Sequence, residues 1–336
     1  MIVSRTKRAG IAMGAMIVLS LSIAGFSVVQ LQAGLETPSE AAIVAAEQKV
    51  RGTDTPTAIT EYSTFRVPVT GYIAVSVYAR EHDSAKANIF MVHGAGGGAW
   101  VWEYYFEHLP TYYNVYALSW RGHFDSSSVD DANANDYVVD QEAALAAITT
   151  RNDLPTHIIG HSYGGATSVI QAARSEVKIG SLVLLAPVVP LDYTFAQRLI
   201  VPAIAPYFIR KAVKNGNELE GTFGGMFLSQ SRMRRYHELY AGHDYSTEKL
   251  SLIADDGVSP EWQDLLSTSY QEVTNRGIPV SIFMARYDNV VVPHRQRNTA
   301  KNTGAKLVEI ESGHYIPLDV GVIDVVMATV DILTLP

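Results

Sequence analysis

The chain has 336 residues, 47% of them hydrophobic and 18% charged, enough apolar content for a sizeable core. Its formal net charge is −8, which repels polyphosphate backbones and argues against a nucleic-acid partner. It has no cysteine, which excludes disulfides, thiolate metal sites, a cysteine nucleophile and a lipidated cysteine anchor.

The N-terminus comes first in chain order. Arg5, Lys7 and Arg8 precede an uncharged run from Ile11 to Leu31. A basic segment followed by an apolar one reads as a signal peptide or a signal anchor. The run of 21 residues is long enough to span a bilayer as one helix and longer than the usual cleaved core, so residues 1–33 lean to an uncleaved anchor. The rest of the chain would then face out of the cytoplasm, or be released there if the segment is cleaved. Residues 34–60 carry no strand or motif signal. Glu36 to Glu40 can open a short helix, Gly52 to Pro56 read as linker, and the whole stretch is expected to be a tether.

From residue 61 onward, short β-rich runs alternate with helical stretches. Tyr72–Tyr78 alternates like a half-buried strand, and Asn88–Val92 and Val115–Ser119 are continuous apolar runs. Tyr137–Ile148 has helical spacing. His157–Gly160 is a strand and Gly164–Ala173 a helix. Leu182–Ala186, Pro279–Met284 and Lys306–Ile310 continue the strands, and Val322–Leu333 closes with a helix. This order predicts an α/β fold, a mostly parallel sheet with helices on both faces. The alternation breaks over about 190–275, which predicts a helical cap inserted over the sheet edge, ordinary crossover helices being the alternative.

Within that frame, residues 160–165 read Gly-His-Ser-Tyr-Gly-Gly. This is G-x-S-x-G, with a strand before it and a helix behind. Such a turn is tight, and a side chain at Gly160 or Gly164 would strike the neighbouring strand or helix. Ser162 is the candidate nucleophile. After the strand Asn88–Val92 comes His93-Gly94-Ala95-Gly96-Gly97-Gly98-Ala99-Trp100. A backbone that must approach an oxyanion closely needs glycines, and peptide N–H groups there can stabilise a tetrahedral intermediate. Ala95 is the expected loop donor, Gly96 the second choice, and Tyr163 the donor after the nucleophile. A phosphate loop fails on detail, since no G-K-[ST] and no G-x-G-x-x-G opens a helix.

A hydroxyl nucleophile needs a base and an acid, here in chain order Ser, Asp/Glu, His. Asp288 and His314 each follow a strand end, on the sheet edge that carries Ser162. His314 is expected to take the proton from Ser162 and Asp288 to hold the imidazole. Asp192 is the main rival acid, and Asp255 and Asp256 fall in the expected cap. Asp130, Asp131 and Asp136 lack the glycine and closing glutamate of a calcium loop, so no metal is expected, and the chemistry asks for no cofactor. Trp100 and Trp102 either line the pocket or belong to the core. Leu199–Ile209 either roofs an acyl pocket or packs the cap.

From about Thr64 to Leu333 these motifs resemble the α/β-hydrolase superfamily, in particular serine esterases and lysophospholipase-like members. The loop His93–Trp102 is similar to that of the methylesterase and hydroxynitrile-lyase branch, which implies an oxyanion role for Ala95 under a lid. Ser119-Trp120-Arg121-Gly122-His123 is similar to the S-x-R-G-H-G turn of lysophospholipase-like members, with Phe124 in place of the last glycine. Branches with an aspartate nucleophile are disfavoured by Ser162. The expectation is a serine hydrolase acting on a small-molecule ester, with lipid-like esters among the candidates. C–C hydrolase or hydroxynitrile-lyase chemistry, or non-catalytic ligand binding, are the alternatives. No protein partner can be read from the chain.

Overall fold

The computed structural model describes residues 36–51, 53–129, 131–191, 227–241 and 259–333. Its centre is an eight-stranded sheet in the order β1-β2-β4-β3-β5-β6-β7-β8. The strands are β1 (Ser63–Thr70), β2 (Ile73–Arg80), β3 (Ala87–Val92), β4 (Tyr113–Ser119), β5 (Thr156–His161), β6 (Ile179–Leu185), β7 (Val280–Ala285) and β8 (Lys306–Ile310). β1 and β2 pair antiparallel, β2 meets β4 antiparallel, and every later pairing is parallel.

The helices, in chain order, are α1 (Glu40–Val50), α2 (Glu103–His108), α3 (Ala134–Arg151), α4 (Tyr163–Arg174), α5 (Gln230–Ala241), α6 (Pro260–Asn275), α7 (Pro293–Thr303) and α8 (Val322–Leu333). The central strands are mostly apolar because both faces are covered. Their period of two still sorts the side chains. Ile89 and Met91 of β3 and Val183 and Leu185 of β6 join one core cluster with α2 and α8. Phe90, Val92, Leu182 and Leu184 point the other way, to α3, α4 and α6. Each large side chain buried this way contributes about 1.5–3 kcal/mol of transfer free energy.

The structure differs from the sequence reading in three places. β1 carries no strong apolar signal, because Val67 is its one buried residue and Pro68 interrupts the pattern. The expected tether contains α1, whose N-cap Ser39 accepts the Ala42 N–H. Its Ala46 is buried with Leu228, Tyr287 and Val320, so this stretch is docked on the domain. The expected insertion ran to residue 275, yet α6 packs on the sheet layer beside α4, with Trp262, Leu266, Tyr270 and Val273 in that core. α6 is therefore a crossover helix of the main layer. Of the interval before it, α5 and the residues leading into it are described, and Leu199–Ile209, Asp192, Asp255 and Asp256 lie outside the described residues. Among the described residues no helix is long and apolar enough to cross a membrane, and Ile11–Leu31 lies outside them.

Candidate active site

β5 ends at His161 and α4 begins at Tyr163, so Ser162 alone makes the turn between them. Its backbone stands at φ 53°, ψ −120°, a region a residue with a side chain enters only when its surroundings hold it there. They do so through backbone hydrogen bonds. The Ser162 N–H donates to the Leu185 carbonyl at 2.9 Å, and its own carbonyl accepts from Gly165 at 3.0 Å and Val188 at 2.9 Å. The turn is wedged against the end of β3. A Cβ at position 164 would lie 2.2 Å from the His93 carbonyl oxygen, which leaves glycine as the residue that fits.

The loop after β3 approaches the same turn. A Cβ on Gly94 would lie 2.9 Å from Ser162 Cβ and 2.9 Å from His161 Nδ1. His93 fixes the loop from behind. Its Nε2 accepts the Trp120 N–H at 3.2 Å, so Nδ1 carries the proton and donates to the Gly94 carbonyl at 2.7 Å. Burial holds the His93 imidazole well below its ordinary pKa, and His123 adds to the shift. Ala95 follows Gly94 directly in this loop. Tyr163 opens α4, where N–H groups point out along the axis toward the positive end of the helix. The Tyr163 hydroxyl accepts from Trp262 Nε1 at 2.8 Å, which ties the elbow to α6.

Asp288 and His314 leave the ends of β7 and β8 and meet Ser162. His314 Nδ1 lies 2.8 Å from Asp288 Oδ2, and His314 Nε2 lies 2.9 Å from Ser162 Oγ. All three side chains are buried. The second carboxylate oxygen of Asp288 accepts the Val290 and Val291 N–H groups, both at 2.8 Å. Oδ2 also has Gln296 Nε2 at 3.4 Å. With the carboxylate on Nδ1, the proton sits there and Nε2 is left to accept from the serine hydroxyl.

Two residues that sequence reasoning did not single out take part in this arrangement. His161 Nε2 donates to the His314 carbonyl at 2.9 Å, and its ring packs 5.0 Å from the His314 ring. Burial, then the His314 charge, holds His161 well below its ordinary pKa, so it stays neutral. Its contact with residue 314 spans 153 positions, and a motif of six residues gives no sign of it. Asp319 is the other. Its carboxylate accepts from Gly313, one residue before His314, at 2.7 Å.

The tryptophans divide. Trp102 is fully buried against Tyr105 at 5.1 Å between ring centroids, so it belongs to the core and the expectation of a pocket wall is corrected there. Trp100 is also buried, 5.7 Å from Tyr236, which is itself 4.7 Å from the Tyr315 ring beside His314. In the Arg121 turn, Arg121 bonds Asp140 and Asp136, which occupies Asp136 with an arginine. Phe124 stands there at φ 50°, so the backbone keeps the left-handed form that glycine usually supplies. Among the described residues no group of His, Asp and Glu is placed to hold a metal ion.

Comparison with known proteins bears on the fold and the family. A pimeloyl-acyl-carrier-protein methyl ester esterase of Neisseria meningitidis is 30% identical over 122 residues, 36% of this chain and 37% of that protein. Lipase LipV of Mycobacterium tuberculosis is 28% identical over 145 residues, 42% of this chain and 52% of its own. The chain thus matches about half or less of the length of these curated relatives. Among solved structures, the haloalkane dehalogenase DatA of Agrobacterium tumefaciens superposes with a TM-score of 0.60 at 15% identity. That match covers 81% of this chain and 96% of the dehalogenase, a likeness of fold. Residues 89–324, more than two thirds of the chain, match the family described as the alpha/beta hydrolase family. The chain belongs to the alpha/beta hydrolase family.

Proposed function

We propose that this protein is a serine hydrolase that cleaves a carboxylic ester through an acyl-enzyme on Ser162, with His314 as base and Asp288 as acid. The observation that carries this reading is the continuous chain Ser162 Oγ, His314 Nε2, His314 Nδ1, Asp288 Oδ2, with steps of 2.9 and 2.8 Å. The names of the two curated relatives, an esterase and a lipase, support it.

The steps follow from the atoms. Ser162 Oγ adds to the ester carbonyl carbon as its proton passes to His314 Nε2. The imidazolium is stabilised by the Asp288 carboxylate. The carbonyl oxygen becomes an oxyanion, held by the N–H groups of Ala95 and Tyr163. The C–O bond to the alcohol breaks, and His314 returns the proton to the departing oxygen. Water then gives a proton to His314 and attacks the acyl carbon; the Oγ–acyl bond breaks as His314 passes that proton to Ser162 Oγ, which releases the acid and restores Ser162. The buried aromatic group of Trp100, Tyr236 and Tyr315 beside His314 favours an ester with an apolar part.

A fluorophosphonate probe tests activation of the serine directly. Wild-type protein is expected to label at Ser162, and a folded protein that does not label sinks the proposal. A panel of p-nitrophenyl esters of increasing acyl length, with Ser162→Ala as control, then tests ester chemistry. Turnover independent of Ser162 would show the ester reading to be wrong. For localisation, Arg5, Lys7, Arg8 and the run Ile11–Leu31 support export with an anchored or cleaved N-terminus. Full-length protein with an intact N-terminus in the soluble extract would defeat this.

A further inference from the structure

One fully buried carboxylate outside the serine–histidine–aspartate chain has its hydrogen bonds divided between two parts of the molecule. Asp319 Oδ2 accepts the Gly313 N–H at 2.7 Å and lies 3.0 Å from Ser312 Oγ. These are the two residues before His314. The Ser312 hydroxyl shares its single proton between this oxygen and the Gly313 carbonyl at 2.9 Å. The same Oδ2 accepts the Leu228 N–H at 2.8 Å, and Oδ1 accepts the Ser229 N–H at 3.1 Å. Leu228 and Ser229 lead into α5, across 91 and 90 residues of sequence. Asp319 also closes its own turn, donating its N–H to the Tyr315 carbonyl at 3.0 Å.

We propose that Asp319 is a positioning residue for His314, a carboxylate fixed by the Leu228 and Ser229 N–H groups that holds the two residues before the imidazole. The proposal rests on the reading of His314 as the base. His314 is then held from two sides, by His161 on its carbonyl and by Asp319 on the two preceding residues. Removing the carboxylate leaves buried N–H groups on both segments without their acceptor. The loop then keeps the His161 and Asp288 contacts of His314 but loses its hold on the two preceding residues, and a displaced base lowers the rate of the chemical step.

A second carboxylate grips the same helix without touching the histidine loop. Glu47 of α1 accepts from Ser231 Oγ at 2.6 Å, Ser229 Oγ at 3.0 Å and the Ser231 N–H at 3.1 Å. It supplies the contrast that separates positioning from general support of α5.

The test compares Asp319→Asn, Ser312→Ala and Glu47→Ala in the full chain, with folding checked by circular dichroism. Kinetics on a p-nitrophenyl ester are paired with the downfield proton NMR signal of His314 Nδ1–H. For Asp319→Asn, kcat is expected to fall by about 10- to 100-fold, the range that a small misplacement of a reacting group produces, with KM within about threefold. The downfield signal should broaden through faster exchange with water. Ser312→Ala should change both in the same direction and by less. Glu47→Ala should leave kcat and the signal near wild type. A folded Asp319→Asn protein with unchanged kcat and an unchanged signal overturns the proposal. So does a Glu47→Ala protein that loses both as Asp319→Asn does. If Asp319→Asn does not fold, an unchanged exchange rate in Ser312→Ala is the overturning result. If wild-type protein hydrolyses no ester, the reading of the previous section fails, and the NMR signal still judges Asp319.

Discussion

At Ser162 a positive φ is held in place by hydrogen bonds from β6 and α4, and the side chain gains its direction from that constraint. The hydroxyl oxygen lies 2.9 Å from His314 Nε2. Ser162→Ala is therefore expected to abolish fluorophosphonate labelling and to lower kcat by roughly 10⁴- to 10⁶-fold with little change in stability. Asp288→Asn presents a problem of a different kind. An amide at the Nδ1 side can donate as well as accept, so the imidazole is free to settle with its proton on the wrong nitrogen. A loss in kcat of about 10⁴-fold is expected, with folding retained. An Asp288→Asn protein within tenfold of wild type would remove Asp288 from the chemistry. Gly94 tests the oxyanion loop. An alanine methyl there meets Ser162 Cβ and His161 at 2.9 Å, so the loop must move outward and carry Ala95 with it. Gly94→Ala should lower kcat by about 10²- to 10³-fold, the cost of a lost oxyanion donor, while substrate still binds. An effect confined to KM would place the oxyanion elsewhere.

At the scale of elements, legibility in the sequence followed how local the cause was. β3, β5 and β6 announced themselves because both faces of each are covered and each carries an apolar run, Ile89–Val92, Ile158–Ile159 and Leu182–Leu185. The elbow was legible because a strained turn wedged between strand and helix needs glycine at fixed spacings. β1, at the sheet edge, buries one residue and leaves little pattern to read. α7 was equally faint, since Pro293–Thr303 is polar along most of its length and buries only Pro293, Gln296, Thr299 and Ala300. In sequence α1 reads as a tether because its apolar side is narrow, with Ala46 its single buried residue. What gives α1 a fixed place is tertiary. Ala46 packs on Leu228, Tyr287 and Val320, Glu47 caps the start of α5, and Glu36 meets Arg286 at 2.7 Å. Ala46→Asp should undock the helix by burying an unpaired charge. Limited proteolysis between residues 36 and 58 is expected to accelerate by more than about tenfold, which corresponds to at least about 1.4 kcal/mol of lost docking. Equal cleavage rates in the two proteins would show that α1 is held by other contacts.

For the whole molecule, the buried histidines set the response to acid. His93 and His161 are fully buried, and burial is the main cause that drives both well below the ordinary value of 6.5, with neighbouring histidines adding to it. His157 is lowered by burial as well. In the unfolded chain each titrates near 6.5, whereas in the folded protein each stays neutral to lower pH. Below pH 6.5 the unfolded state therefore binds more protons, and stability falls as pH falls. The contribution is complete above pH 6.5 and is lost on the acid side, at up to about 1.4 kcal/mol per pH unit for each histidine held neutral. Asp319, Asp140 and Glu103 act in the opposite sense, because burial raises each and so favours the folded state in acid. A comparison of wild type with His161→Gln isolates the histidine part, since the carboxyls are common to both. Urea unfolding at pH 6.5 and 5.5 should show wild type losing about 1 kcal/mol more than the variant over that interval. The variant itself will be less stable at both values, having lost the ring that packs on His314 and Tyr315. The pH dependence, and not the absolute stability, is the quantity that decides. Equal losses in the two proteins would mean that His161 accepts a proton at Nδ1 in the folded state, with the hydrogen bond it gives to the His314 carbonyl kept.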